Sequence, residues 1–267
     1  MDKLKTIEQV ERYIYQLLPQ KGKNNDEVTL LNNINYSKCC HASQAIRKMD
    51  THEVRYYHLT LRMDQQAVQS PFKLNLSPSF LCSFDLLSLY IAIKDLQVYE
   101  KYKFDLPNIK RVVPIRLETL AWPNCKYLLS QLRMFHGKYL AQIIPSVQIT
   151  KENFSEISFQ FNINSLKNHF EEIWYELDYQ YSPLDVLYIQ LPDLVKFILQ
   201  PNQEIDENLQ HTFLKRLQKH NLPFVVGRID SSKTLNEFKL KGSSFYFGFI
   251  KDYPACNHLD PFHRLYS

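Results

Sequence analysis

Glycine is scarce in this chain, at 5 of 267 residues. The scarcity argues against glycine-rich phosphate loops, and neither GxGxxG nor a P-loop occurs. No block of about five or six Lys/Arg residues is present and the net charge is a small +4, so nucleic acid is not an expected partner. No apolar run reaches about 18 residues and no leader peptide is seen, which excludes a helical membrane span and places the chain in the cytoplasm. The five cysteines, Cys39, Cys40, Cys82, Cys125 and Cys256, form no CxxC pair. They read as buried, reduced thiols and favour a reducing compartment. GxSxG, HExxH and Cys–His nucleophile signatures are absent, as are internal repeats and low-complexity tracts.

What is there is an ordinary globular composition, 45% apolar and 22% charged, with an unusual 17 Tyr and 17 Phe. The length allows one α/β barrel with a large core. Residues 1–20 read as an amphipathic helix with Ile7, Val10, Ile14, Leu17 and Leu18 on one face, ended by Pro19 and the polar stretch 20–27. Such a helix is marginal alone. It is expected to pack on its own barrel as a lid or to serve as a dimerisation or docking helix. Two alternating runs flank Asp50-Thr51-His52 and predict a β-hairpin. Residues 76–99 predict a helix capped by Ser77 or Ser79. A strand follows over 110–117, a helix around 125–135, strands over 139–144 and 157–163, and a helix over 204–220. The stretch LPFVVGRIDSSKTLNEFKLKGSSFYFGFIKDYP, residues 222–254, reads strand, helix, strand, the size of a βαβ unit. Phe224 to Val226 form a buried strand. Asp230 and Ser231 can cap a helix with apolar contacts from Leu235, Phe238 and Leu240. Gly242 ends it, and Phe245 to Ile250 begin a second apolar run.

This last stretch resembles the end of bacterial EAL domains, the cyclic di-GMP phosphodiesterases, whose pattern is AEGVE-T-(x)3-L-(x)6-G-(x)4-QG-(x)5-P. Ile229 and Asp230 fall on its VE, and Leu235, Gly242, Gly248 and Pro254 on its Leu, Gly, Gly and Pro. Gly227 stands at the catalytic Glu and Phe247 at the Gln. The hairpin resembles the family's opening, QPI-(x)2-L-(x)5-V-(x)2-EALLR: Gln44, Ile46, Met49 and Val54 fit, and His58 to Arg62 lie at EALLR. Gln44 and Arg62 are thus kept, while His58 replaces the eponymous Glu. Pro78, Phe80 and Leu81 are similar to P-(x)2-F-I. Arg116 falls at a metal-binding Asn, Gln142 and Pro145 at the two Glu of ExxE, and Gln160 and Phe161 near an Asp-Asp pair. Residues 184–191 resemble the D-(x)2-KID strand, with Asp185 kept, Tyr188 for its Lys and Gln190 for its Asp. The resemblance covers residues 36–254.

The resemblance implies an α/β fold, an EAL-type modified TIM (β/α)8 barrel with one antiparallel strand. It also implies three parts: an N-terminal helix and linker (1–35), the barrel (36–254) and a C-terminal tail (255–267). Family members hold two Mg²⁺ or Mn²⁺ ions, which need oxygen ligands. The aligned positions His58, Arg116, Gln142, Pro145, Gln160, Tyr188, Gly227 and Phe247 offer no carboxylate. Hence no catalytic residue, metal or cofactor is expected. The function implied is a catalytically inactive, protein-binding regulatory module of cyclic di-GMP signalling. The alternatives are a cyclic di-GMP receptor without hydrolysis, anchored by Gln44 and Arg62 because family members use that Arg on the ligand's phosphate, and a residual phosphodiesterase. A protein partner, cyclic di-GMP and a homodimer are the associations considered. Among other candidates, His58 and Arg116 read as a packed His and a solvated Arg rather than a phosphate site. His258, Asp260 and His263 match no zinc spacing. Glu118 is the carboxylate nearest the expected mouth, and Glu171, Glu172 and Asp178 read as solvated.

Overall fold

The computed structural model describes residues 3–33, 39–63, 70, 74–102, 109–178, 183–199 and 206–256. Helix α1 (Ile7–Leu17) starts from a capping box: the Thr6 hydroxyl accepts from Gln9 N, and the Gln9 side chain accepts from Thr6 N. Its Val10 and Ile14 are fully buried, each burial worth about 1.5–3 kcal/mol. They pack on the chain's own barrel. Tyr13 meets Tyr127 edge-on at 5.3 Å, and Leu4 N donates to Gln131 Oε1 at 3.1 Å. The polar stretch after Pro19 leads into a second helix, α2 (Asn25–Asn33), which the sequence had not suggested. Its buried Glu27 accepts from Ser77 N at 2.6 Å and so ties α2 to the start of the next helix.

Strands β1 (Cys40–Lys48) and β2 (Val54–Arg62) form the expected hairpin, with Gln44 opposite His58 and Cys40 opposite Arg62. Helix α3 (Pro78–Lys101) follows, N-capped by Ser77 with Pro78 in its first turn. Then come β3 (Lys110–Arg116), α4 (Leu117–Ala121), α5 (Pro123–Leu140), β4 (Ile143–Gln148), α6 (Glu156–Lys167), β5 (Trp174–Leu177), α7 (Val186–Ile189), β6 (Leu194–Ile198), α8 (Glu207–Lys219), β7 (Phe224–Gly227), α9 (Ser232–Leu240) and β8 (Phe245–Tyr246). From β2 to β8 each strand pairs in parallel with the next. β8 then pairs antiparallel with β1, which pairs antiparallel with β2, and an eight-stranded barrel closes. The short β9 (Ala255–Cys256) lies antiparallel against the other half of the same β1 edge.

Alternation along each strand builds two cores. Ile46, Val112, Ile144, Trp174, Leu194 and Val225 fill the barrel, with Phe247 just past β8. Val113, Val147, Tyr175, Val195, Phe197 and Val226 belong to the larger core shared with the helices.

Five expectations are corrected. Residues 157–163 are not a strand but lie in α6. Their alternating Ile157, Phe159, Phe161 and Ile163 suggest period two. The burial, however, runs Phe159, Ile163, Leu166, with Ile157 84% and Phe161 63% exposed, which is helical spacing. Residues 184–191 contain α7, not a strand, and the strand expected over 139–144 begins only at Ile143, because α5 continues to Leu140. Leu240 makes no core contact and is almost fully exposed. Finally, Cys39, Cys82 and Cys125 are free but Cys40 is disulfide-bonded, so the reading of every cysteine as a reduced thiol fails there. Backbone pairing brings Cys256 opposite Ala42, a proximity that sequence spacing could not show. No helix among the described residues is long and apolar enough to cross a membrane.

Candidate functional site

In a barrel of parallel strands the side chains at the C-terminal strand ends line the mouth. On one side of this mouth the ends of β7 and β8 meet β1 and β2. Gly227 closes β7, and a Cβ built there would lie 2.4 Å from Cζ of Phe247. The Phe247 ring therefore occupies the space that any larger residue at 227 needs. The same ring lies 4.8 Å from the His58 ring. Backbone bonds fix it: Phe247 N donates to Val226 O, Ile229 N to Phe247 O, and Ile250 N to Ile229 O, at 3.0–3.1 Å. Gly248 must be glycine, because a Cβ there would stand 2.1 Å from Ile229 O. The segment after β8 is anchored to β1: Gln44 Nε2 donates to Asp252 O at 2.7 Å, and the Arg47 guanidinium holds the Asp252 carboxylate with two bonds of 2.7 and 2.8 Å.

His58 is buried in this packed wall. Its pKa is pushed well below the ordinary histidine value by burial first and then by the charges of Lys196 and Arg62. It is a neutral imidazole with Nδ1 unpartnered, and so brings no positive charge for a phosphate.

The other side of the mouth is polar. Lys196 on β6 is 1% exposed, and its Nζ lies 2.5 Å from Oε2 of Glu176 on β5. The contact is an ion pair rather than an aligned hydrogen bond, since Glu176 Oε2 has no hydrogen-bond partner. Gln148 at the end of β4 donates from Nε2 to Glu176 Oε1 at 3.1 Å. The trio lies on the adjacent strands β4, β5 and β6. The sequence did not single it out. The signal it offered was a single charged residue inside a short apolar run, Lys196 within Leu194-Val195-Lys196-Phe197-Ile198 and Glu176 within Trp174-Tyr175-Glu176-Leu177.

The structure brings His58, Gly227 and Phe247 together but not the other expected positions. Arg116 is turned to α3: Nη1 donates to Asp85 Oδ1 at 2.7 Å and to Leu81 O at 3.3 Å, and its N donates to Asp85 Oδ2 at 2.9 Å. The Asp85 carboxyl is pushed up by burial, against the opposing pull of Arg116. Gln142 sits at the opposite, N-terminal end of β4, its carbonyl accepting from Arg111 N. Pro145 is buried on the outer face of β4, between Ile143 and Val147. Gln160 is exposed on α6, and Tyr188 on α7 is exposed between Arg216 and Lys219. Arg62 lies at the mouth end of β2. Glu118, in the first turn of α4, accepts from Asn153 Nδ2 at 3.1 Å. His258, Asp260 and His263 lie outside the described residues.

Among the described residues, no group of three His, Cys, Asp or Glu side chains converges to hold a metal ion. Two divalent ions need several oxygen donors, and Glu176 at the mouth is already paired with a buried ammonium. The described residues do not fit a two-metal centre.

No family model and no curated protein matches the sequence. Solved structures do match the fold. A Klebsiella pneumoniae protein in a calcium and cyclic di-GMP complex aligns with TM-score 0.63 at 17% identity, over 82% of this chain and 56% of that one. Bacillus subtilis YkuI, which has an EAL domain and was solved with substrate c-di-GMP and calcium, aligns with TM-score 0.64 at 16% identity, over 89% and 61%. The EAL domain of Xanthomonas citri FimX, in complex with c-di-GMP, aligns with TM-score 0.59 at 12% identity, over 93% and 98%. The chain thus spans little more than half of the first two proteins and nearly all of the isolated FimX domain. With its closed barrel and its antiparallel first strand, this chain has the fold of an EAL domain.

Proposed function

We propose that this chain is a catalytically inactive EAL-like domain that binds another protein and so regulates cyclic di-GMP signalling. The observation that carries the reading is Phe247 packed over Gly227 and against His58. It removes the side-chain donors of two strand ends and fills their space with an aromatic ring. Glu176 supports the same reading, because Lys196 already neutralises it. The test is incubation of the full chain with cyclic di-GMP and Mg²⁺ or Mn²⁺. No linear pGpG should form above the enzyme-free control. Turnover that EDTA abolishes would overturn the proposal.

A second reading, a receptor that binds cyclic di-GMP without cutting it, is favoured by the ligands of the similar structures and by Arg62 at the mouth end of β2. Gln44 supports it less, since its amide donates to Asp252 O. On this reading calorimetry yields a saturable heat, and Arg62→Ala weakens binding by about tenfold or more, the scale of a lost bond to a charged group.

A further inference from the structure

Helix α6 turns an apolar face away from the molecule. Ile157 and Phe161 stand at i and i+4 with Asn164 one turn on, and both apolar side chains are largely exposed. The face continues onto the next helix. Gln190, just past α7, donates from Nε2 to Asn164 Oδ1 at 3.0 Å, and Tyr188 and Leu191 beside it are exposed. Cations border this surface on both sides. Lys126 of α5 lies over the Phe161 ring at 4.4 Å. Arg216 and Lys219 of α8 lie over the Tyr188 ring at 5.8 and 5.7 Å. The acidic groups nearby are Glu156, in the first turn of α6, and Asp185, which meets Arg216 at 3.4 Å.

Scattered exposed apolar residues are ordinary, but four on two touching helices and the turn after them, rimmed by like charges, form a surface built for contact. The rim decides the occupant. A two-fold contact with a second copy would set Lys126, Arg216 and Lys219 against their own counterparts, which is repulsive. A partner helix with apolar residues on one face and carboxylates on the flanks meets both features at once.

We propose that the α6–α7–α8 face is the docking surface for an acidic amphipathic helix of a partner protein. The inference rests on the protein-binding reading above and names its surface.

The test uses two synthetic helical peptides with the same Leu/Phe face, one with Glu and one with Lys at the flanking positions. Each is titrated into the full chain and followed by fluorescence anisotropy. The Glu peptide should bind at least about tenfold tighter than the Lys peptide, and added salt should weaken it. Ile157→Ser with Phe161→Ser, both at exposed positions, should abolish binding without changing the melting temperature. Lys126→Glu with Lys219→Glu should reverse the peptide preference. Failure of the Glu peptide to bind, or binding untouched by these substitutions, would overturn the proposal. So would a dimer of the chain alone that the Ser variant converts to monomer, since the face would then belong to a second copy. The outcomes separate from the first reading: pGpG release with intact peptide binding removes the inactivity and leaves the surface.

Discussion

The two sides of the barrel mouth have taken opposite routes. Where β7 and β8 meet β1 and β2, a glycine and a phenylalanine share one volume, a histidine is held neutral beside them, and the segment after β8 is fastened to β1. Across the barrel, β4 to β6 keep a polar trio, and a buried lysine is the counter-charge of the carboxylate. The first side is closed by packing. The second keeps charge but satisfies it internally. One half of the mouth is thus filled with hydrocarbon and the other with an ion pair.

The largest effect should come from breaking the polar half. Lys196→Ala leaves Glu176 beside the barrel core without its cation and should cost about 3–5 kcal/mol in urea melts, whereas Lys196→Met combined with Glu176→Leu should recover most of that loss. A single-mutant cost below about 1 kcal/mol would mean that the pair is solvated, and the contrast between the halves would fade.

Next comes the packed half. Gly227→Ala drives a methyl into the Phe247 ring and should cost about 1–3 kcal/mol, with Phe247→Leu relieving the strain in the double mutant. Additive losses in that cycle would show that the two residues do not share the space.

A smaller effect concerns protons. The folded pKa of His58 lies below its ordinary 6.5, so its contribution to stability is full above about pH 6.5 and is lost as pH falls toward the folded value. NMR titration should find this ring uncharged through neutral pH. Phe247→Ala should admit water and move the pKa back toward the ordinary value. A His58 that titrates near 6.5 in the wild type would contradict the burial.

The smallest effect is at the rim. Arg228, just past β7, holds φ of 63°. Arg228→Gly should be neutral or stabilise the fold by up to about 1 kcal/mol, by thermal melt.

How far the sequence was legible follows the same division. Toward the C-terminal end, Gly242 at φ 84° and Gly248 against Ile229 O mark positions where the backbone favours glycine, and the hairpin, β7 and α9 were readable. Between β4 and β6 no such markers occur. The alternating apolar residues of α6 imitate a strand, and Gln160 and Tyr188 are helical positions ahead of β5 and β6. Glu176 and Lys196 were hidden because a charge inside a four- or five-residue strand breaks the apolar pattern that announces the strand. The ring of Phe247 beside His58 joins residues far apart in the chain, and no local pattern could show it.

The proposed inactivity requires that this mouth hold no pair of divalent ions. Calorimetric titration of Mn²⁺ into the full chain, alone and with cyclic di-GMP, addresses it most directly. No saturable heat from Mn²⁺ is expected in either case. Stoichiometric binding of two ions per chain, lost in Glu176→Gln, would contradict it.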